Sequence, residues 1–444
     1  MNNKNTAFSN ENDYTILNSN FYKSLNLLDS SQKEPVFSNA PDILIQAPAG
    51  SGKTSVLIAA IAQHRYNNVN DRICAITFTN AAAKEMENRL KNFGIKDVHV
   101  STIHSWCYSE LRKLHLKWGF SLNLINDSNK KVIVEELIQR YLLTHPRIRS
   151  INRDIFIRYI EGNKKMQLSD SIKRTFEALE ARYILYKRQN NLYDFGDYPL
   201  YLKDMLEYYN DYIGDVDALF VDEFQDVDDD QVAVFQRTKA RKHFYIGDSW
   251  QCIYGFRGSN QEIFNQYKHF DNYKLKYNYR SYQEIINFAT AKYENLSGNG
   301  SELLTSEFNY KNSSIYCNRG NGGFVGIIDN FGEVIYKGTP ICDSTEAFEV
   351  FSTFMSYCPR VLCRTNKTVR YITDECYYQN VDTIHSAKGL EYDNVLLVDS
   401  EISDIEDKNV AYVGMTRAKN RLLIVNNSIF QILMKKYSYN KIII

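Results

Sequence analysis

Short apolar runs recur along the chain, each closed by a polar or glycine-bearing turn and most followed by a segment with helical spacing. Ile43 to Ile45, Ile73 to Phe78, Val98 to Thr102, Leu219 to Val221 and His243 to Ile246 read as buried strands. The pattern resumes near the C-terminus with Arg360 to Arg364, Asp382 to His385, Asn394 to Val398 and Arg421 to Val425. Strands alternating with helices predict an α/β fold with parallel sheets, and the second group of runs predicts a second α/β domain in the C-terminal third. Residues 107 to 193 carry helical patterning, a basic balance and no strand signal, which predicts a helical insertion. Residues 297 to 345 are rich in Gly, Ser and Asn, with a β-like run at Phe324 to Ile328. Residues 1 to 27 read as a leader, and Asp29, Ser30 or Ser31 would cap the helix that follows it.

The first apolar run leads into Ala47-Pro48-Ala49-Gly50-Ser51-Gly52-Lys53-Thr54, and there the pattern acquires chemistry. Glycines at 50 and 52 let the backbone turn tightly and aim its N–H groups at an anion. The helix opening at Lys53 adds its positive end, Lys53 can reach outer phosphates, and the Thr54 hydroxyl can hold Mg²⁺. A glycine-rich turn that binds nothing is the alternative. Gln32, upstream, has an amide able to read adenine by donating and accepting, or is a surface glutamine. The run ending at Val221 delivers Asp222 and Glu223 together. That arrangement suits a metal-holding acid followed by a base for the attacking water, or else an acidic loop of the kind seen at Asp228 to Asp230. After Ile246 come Gln251, able to sense a γ-phosphate, and Tyr254 and Phe256, which are either stacking faces or core.

Composition changes this picture little. The 444 residues, 44% hydrophobic and 24% charged, suit two or three ordinary globular domains. No apolar run is long enough to span a bilayer, and the polar first residues lack a hydrophobic signal core, so no membrane association and a cytoplasmic location are expected. The eight cysteines include no CxxC pair and read as isolated thiols. Net charge is zero, which excludes a protein that is basic throughout, yet residues 140 to 188 hold twelve Lys and Arg against five Asp and Glu. That stretch is either a nucleic-acid face or a solvated helical face.

The motifs, in order, resemble those of superfamily 1 DNA helicases of the UvrD/Rep/PcrA type. APAGSGKT resembles the family's phosphate loop, with Pro48 where Gly is usual. TFTNAAAKEM, STIHSWC and LYDFGDY resemble the segments that follow it. VDEFQD matches the second motif nearly letter for letter. GDSWQCIYGFRGS resembles the third, with Ser249-Trp250, Cys252 and Ser259 as departures. YNYRS, CRTN, TIHSAKGLEYDNVLLV and AYVGMTRAKNRL complete the series.

The resemblance implies two RecA-like domains: a first ATP-binding domain from 28–106 and 194–276, with the helical insertion at 107–193, and a second from 277–444. It implies ATP and Mg²⁺, with Lys53, Asp222, Glu223, Gln251, Arg280 and Arg417 as catalytic residues. Gln32, Ala49, Gly50, Ser51, Gly52, Lys53, Thr54, Ser55, Tyr279 and Glu391 would bind nucleotide, and Thr54 and Asp222 the metal. Phe78, Thr79, Asn80, His104, Tyr254, Phe256, Arg364, Asn366 and His385 would line a single-stranded DNA path. Movement 3′ to 5′ along that strand is implied. The family's large 2B insertion has no room here, since only residues 367 to 382 separate Asn366 from Thr383. In size and layout the chain also resembles the compact UvrD-like subunit of the Gabija anti-phage system. That likeness implies a sensing ATPase whose partner, such as a nuclease, acts on the DNA.

Overall fold

The computed structural model describes residues 22–161, 168–255, 258–259, 262–295, 315–329, 331–339, 341–342, 344–399 and 405–443. Most of the expected leader and the candidate Phe256 lie outside them, although residues 22–27 are helical. The strands in chain order are β1 (Asp42–Gln46), β2 (Ile73–Thr77), β3 (His99–Thr102), β4 (Ala218–Val221), β5 (Lys242–Gly247), β6 (Asp271–Lys274) and β7 (Tyr277–Asn278). They continue with β8 (Tyr316–Cys317), β9 (Phe324–Ile328), β10 (Val334–Gly338), β11 (Arg360–Cys363), β12 (Val381–Thr383), β13 (Tyr392–Asp399) and β14 (Ala418–Asn426). The α/β expectation holds, with parallel strands carried by two sheets of the RecA-like kind.

The chain forms two compact units. The first comprises Ile61–Phe244 and Tyr254–Asn260. In it β2 lies between β3 and β4, parallel to both, with Ile76 opposite Ser101 on one side and Val221 on the other. Every residue of β2 and β4 is buried, as expected of parallel strands covered on both faces. The helices Asp127–Thr144, Arg153–Ile160 and Asp170–Asn190 close over a core of their own, centred on Val134, Phe156, Phe176 and Leu179. Their basic residues therefore stand around a packed apolar interior.

The second unit comprises Tyr22–Ala60, Tyr245–Ile253 and Gln261–Ile444. Here β1 runs parallel to β6, Ile45 facing Tyr273. The larger sheet has the order β10-β9-β14-β13-β11-β12, all parallel except β10, which turns back against β9. Its central strands are Val/Ile/Leu runs, and their side chains meet the helices Ala347–Ser356 and Asn427–Ile443 in one core containing Phe351, Phe354, Leu423, Val425 and Phe430. Between Asn366 and Val381 the chain makes only the helix Asn366–Arg370 and a π-turn, Tyr371–Glu375, before entering β12. Among the described residues all eight cysteines are free thiols, and no helix is long and apolar enough to cross a membrane.

Leu423 is fully buried in the middle of β14, whereas Ile432 on the following helix is exposed. Leu423→Ala should cost about 2–5 kcal/mol, the usual range for a large-to-small core change. A lowered urea midpoint by circular dichroism, absent in Ile432→Ala, is the expected result.

Candidate nucleotide and DNA site

Many of the candidate residues follow carboxyl ends of strands, where open parallel sheets place their ligands, whereas Gln32, Glu391 and Arg417 precede strands. β1 ends in the phosphate loop, β2 in Phe78 and Thr79, β3 in the helix bearing His104, and β4 in Asp222 and Glu223. β5 leads to Gln251, β11 to Arg364 and Asn366, and β12 to His385.

In the second unit the loop is shaped by its glycines. Gly50 and Gly52 have φ of 71° and 79°, left-handed values that favour glycine. A Cβ on Gly50 would lie 2.6 Å from Asn278 Nδ2 and 2.8 Å from Arg280 Cβ; one on Gly52 would lie 3.0 Å from Gln32 Nε2. The buried Pro48 turns the loop by accepting from the Ser51 N–H at 3.1 Å. Lys53 and Thr54 open the helix Lys53–Asn67, and Ala49, Ser51 and Ser55 flank the glycines as the phosphate-loop reading requires. A backbone concavity kept open by two glycines, with a lysine and a threonine at the helix start, fits a nucleotide polyphosphate with its Mg²⁺.

Two side chains brace this loop. Gln32 is buried, and its amide donates to Ser51 O at 2.8 Å while accepting from the Asp29 N–H at 3.1 Å. Both ends of the amide expected to read adenine thus already hold backbone. Asn278 donates to Ala49 O at 2.6 Å and accepts from the N–H groups of Arg280 and Ser281 at 2.9 and 2.8 Å. The Tyr279 N–H donates to Gly50 O at 2.8 Å, and its hydroxyl donates to Asp29. Burial and then the adjacent Asp29 carboxylate hold the Tyr279 phenol well above its ordinary pKa.

The arginines belong to the same unit. Arg280 pairs with Glu391, Nε to Oε2 at 2.9 Å, and donates to Thr416 O at 3.1 Å. Glu391, expected to bind nucleotide, is exposed and holds Arg280. Arg417 is 1% exposed. It donates to Val413 O, to Leu390 O and, at 3.0 Å, to Gln251 Oε1. Gln251 Nε2 donates to Asp248 at 2.7 Å, Asp248 accepts from Gln46 at the end of β1, and Lys388 donates to Gln251 O. Trp250, a departure from the family pattern, stacks on Tyr293 at 4.3 Å and meets Tyr412 edge-on.

In the first unit Asp222 is buried and Glu223 sits at φ 52°, ψ 43°. A left-handed glutamate is a strained conformation of the kind that gathers at functional sites. The Glu223 N–H donates to Asp222 Oδ1 at 3.0 Å, and Gln225 Nε2 donates to Glu223 Oε2 at 2.6 Å. Phe78 and Tyr254 stack at 5.0 Å and 16°. Thr79 caps the helix Asn80–Asn92, accepting from the Ala82 N–H, and Asn80 is exposed at its start. His104 stacks on Phe195 at 4.7 Å. In the second unit Arg364 is tied to Asp407, while Asn366 is exposed and His385 half-buried.

Sequence reasoning gave Asp29 only a capping role and gave none to Asp248, Asn278, Lys388 or Phe195. Of these Asn278 had a signal, since asparagine before a turn is a common backbone bracket. Asp248 and Lys388 make contacts far along the chain that no local pattern announces.

A phosphate loop braced by an asparagine turn and joined to a buried arginine through a glutamine defines a P-loop nucleotide-binding protein. The chain belongs to the UvrD/Rep helicase family: the UvrD/REP helicase N-terminal domain model matches residues 28–271, and the UvrD-like helicase C-terminal domain model matches residues 366–428. It is 31% identical over 299 residues to a probable DNA helicase II homolog of Mycoplasma capricolum, covering 61% of this chain and 41% of that protein. It is 27% identical over 328 residues to the ATP-dependent DNA helicase Rep of Buchnera aphidicola, covering 68% and 48%. With the ATP-dependent DNA helicase PcrA of Leuconostoc citreum it is 31% identical over 294 residues, covering 60% and 39%. The chain thus spans less than half the length of these relatives.

Gly50→Ala should remove nucleotide binding, because the added methyl meets Asn278 and Arg280 on a left-handed backbone. Titration with a fluorescent ATP analogue should show at least a tenfold weaker Kd, about 1.4 kcal/mol, with the unfolding midpoint little changed.

Proposed function

We propose that the chain is an ATP-dependent motor on single-stranded DNA, moving 3′ to 5′, with hydrolysis driven by the proposed catalytic residues of its family. The observation that carries this reading is the Gln251–Arg417 hydrogen bond, at the end of a polar chain that begins beside the phosphate loop.

Lys53 and the loop N–H groups would bind the outer phosphates, and Glu223 would orient and deprotonate the attacking water. Mg²⁺, held by Thr54 and Asp222, would neutralise charge on the phosphates. Arg417 now spends one donor on a neutral amide oxygen, and a phosphate oxygen is the stronger acceptor because the bond becomes charge-assisted. Exchange of that acceptor would release the Gln251 side chain. Gln251 precedes Tyr254 by three residues in sequence, and Tyr254 stacks on Phe78. Loss of the γ-phosphate would return Arg417 to Gln251. Two alternative partners for one buried guanidinium supply the two states a motor needs. Arg280 and Glu391 would support the same exchange, and Tyr279 would stack on the base. Strand contacts are proposed for Phe78, Thr79, Asn80, His104, Tyr254, Phe256, Arg364, Asn366 and His385.

A second reading has one observation in its favour. The segment between β11 and β12 is a short helix and a π-turn, too small for a duplex-engaging domain. This favours a sensing ATPase, as in a multi-protein anti-phage assembly, whose nuclease or other effector partner acts on DNA.

Lys53→Ala should abolish DNA-stimulated phosphate release. Glu223→Gln should retain nucleotide binding while reducing turnover at least a hundredfold, within the range for loss of a general base. ATP hydrolysis by the parent protein that does not respond to single-stranded DNA would overturn the motor reading. On a 3′-tailed duplex the lone protein should translocate yet separate strands poorly; robust strand separation would remove the case for the sensing subunit.

A further inference from the structure

Both neighbours of Gln251 are held by a cluster of side chains from two helices of the second unit, Gln283–Asn295 and Ile405–Met415. Gln251 ends the 3-10 turn Ser249–Gln251, in which the Trp250 N–H donates to Asp248 at 3.2 Å. On one side of Gln251 the half-buried Trp250 stacks on Tyr293 at 4.3 Å and 23°, and meets Tyr412 at 5.4 Å and 89°. Tyr293 and Tyr412 meet each other at 5.4 Å and 67°, so the three rings close a triangle. The Lys408 ammonium lies 4.4 Å from the Tyr293 ring centre. On the other side of Gln251, the Cys252 carbonyl accepts from Asn409 Nδ2 at 2.7 Å, and Asn409 Oδ1 accepts from the Tyr293 hydroxyl at 2.8 Å.

Tyr293, Asn409 and Tyr412 are all buried, and the helix that supplies the last two leads directly into Thr416 and Arg417. The turn bearing Gln251 and the segment bearing Arg417 are therefore fixed to one frame, across which Arg417 donates to Gln251 Oε1 at 3.0 Å. Trp250 is the member of that frame which the motif series does not call for, since it stands among the departures in GDSWQCIYGFRGS. Its effect on Gln251 is entropic. A flexible glutamine has to lose rotamer freedom to hold a partner, and a backbone already fixed on both sides leaves less to order. An acceptor held ready in this way competes for a guanidinium better than a mobile one does.

We propose that Trp250 is a positioning residue: by stacking on Tyr293 it holds Gln251 against Arg417, and so sets how readily Arg417 passes to a phosphate oxygen. The proposal rests on the exchange of acceptors put forward under the proposed function. A nucleotide whose γ-phosphate takes Arg417 has to displace Gln251, and its apparent affinity is reduced by the preference for the resting pair. Removing the stack weakens that preference, so it tightens the binding of an ATP analogue. A merely structural defect would weaken binding instead. ADP has no γ-phosphate to offer Arg417 and gains nothing from the loss of the stack.

The experiment is titration of the full chain with fluorescent derivatives of a non-hydrolysable ATP analogue and of ADP. Trp250→Leu keeps apolar bulk and removes the stack; it should bind the ATP analogue about fivefold more tightly, the scale of one aromatic pair, and ADP within about twofold of the parent. Trp250→Phe keeps a stacking ring and should stay within about twofold of the parent on both. Tyr293→Leu removes the same stack from the other side and should match Trp250→Leu, which keeps the test open if one of the two does not fold. Gln251→Ala should itself shift affinity for the ATP analogue, and adding Trp250→Leu to it should shift affinity no further, as expected of a residue acting through Gln251. Unchanged or weaker binding of the ATP analogue by Trp250→Leu, an equal shift for ADP, or the same shift in the Gln251→Ala background would overturn the positioning role. Gln251→Ala that binds the ATP analogue as the parent does would instead overturn the exchange of acceptors, and this proposal with it.

Discussion

A guanidinium taken out of water has to keep its donors occupied, and in the second unit that requirement organises the candidate site. Arg417 finds oxygens on the preceding helix at Val413, before β13 at Leu390, and on Gln251 after β5. Gln251 is held in turn by Asp248, and Asp248 by Gln46. Removing one partner of a buried charge commonly costs several kcal/mol, so none of these segments can drift independently. The order of the site follows from the cost of leaving Arg417 unpaired.

A second constraint is steric. Asn278 reaches Ala49 and folds its own turn over the loop, close enough that only a glycine at 50 fits beneath it. The glycines are therefore needed twice over, for their left-handed backbone and for the close approach of the turn bearing Tyr279 and Arg280. Gln32 closes the other side through Ser51. The loop is thereby pre-organised by two side chains and the Tyr279 backbone N–H before any phosphate reaches it, which reduces the ordering cost that binding has to meet.

Much of the fold was legible because parallel strands announce themselves as compact apolar runs. β2, β9, β13 and β14 begin within three residues of where Ile73, Phe324, Asn394 and Arg421 placed them. The helix cap at Asp29 and the cap at Thr79 were equally readable, since capping is local chemistry. The present partners of the site residues were not. That Glu391 would hold Arg280, or that the Gln32 amide would reach Ser51, depends on approaches between segments apart in sequence. Motif order says which residues gather; it does not say which of them neutralise one another.

The charge balance gains a physical meaning from the rings. A neutral chain cannot depend on broad phosphate attraction, whose strength scales with the number of phosphates neutralised. Stacking does not share that dependence, because the contact is between ring faces and the gain comes from desolvating them. Phe78 on Tyr254 and His104 on Phe195 place such faces at the ends of β2 and β3, and Lys187 pairs with Asp194 and Asp197 on either side of the second. On the proposed reading of the chain as a single-strand motor, the basic excess of residues 140 to 188 would steer a strand locally while such rings hold it, and contacts that are individually modest and indifferent to sequence would suit release at each step.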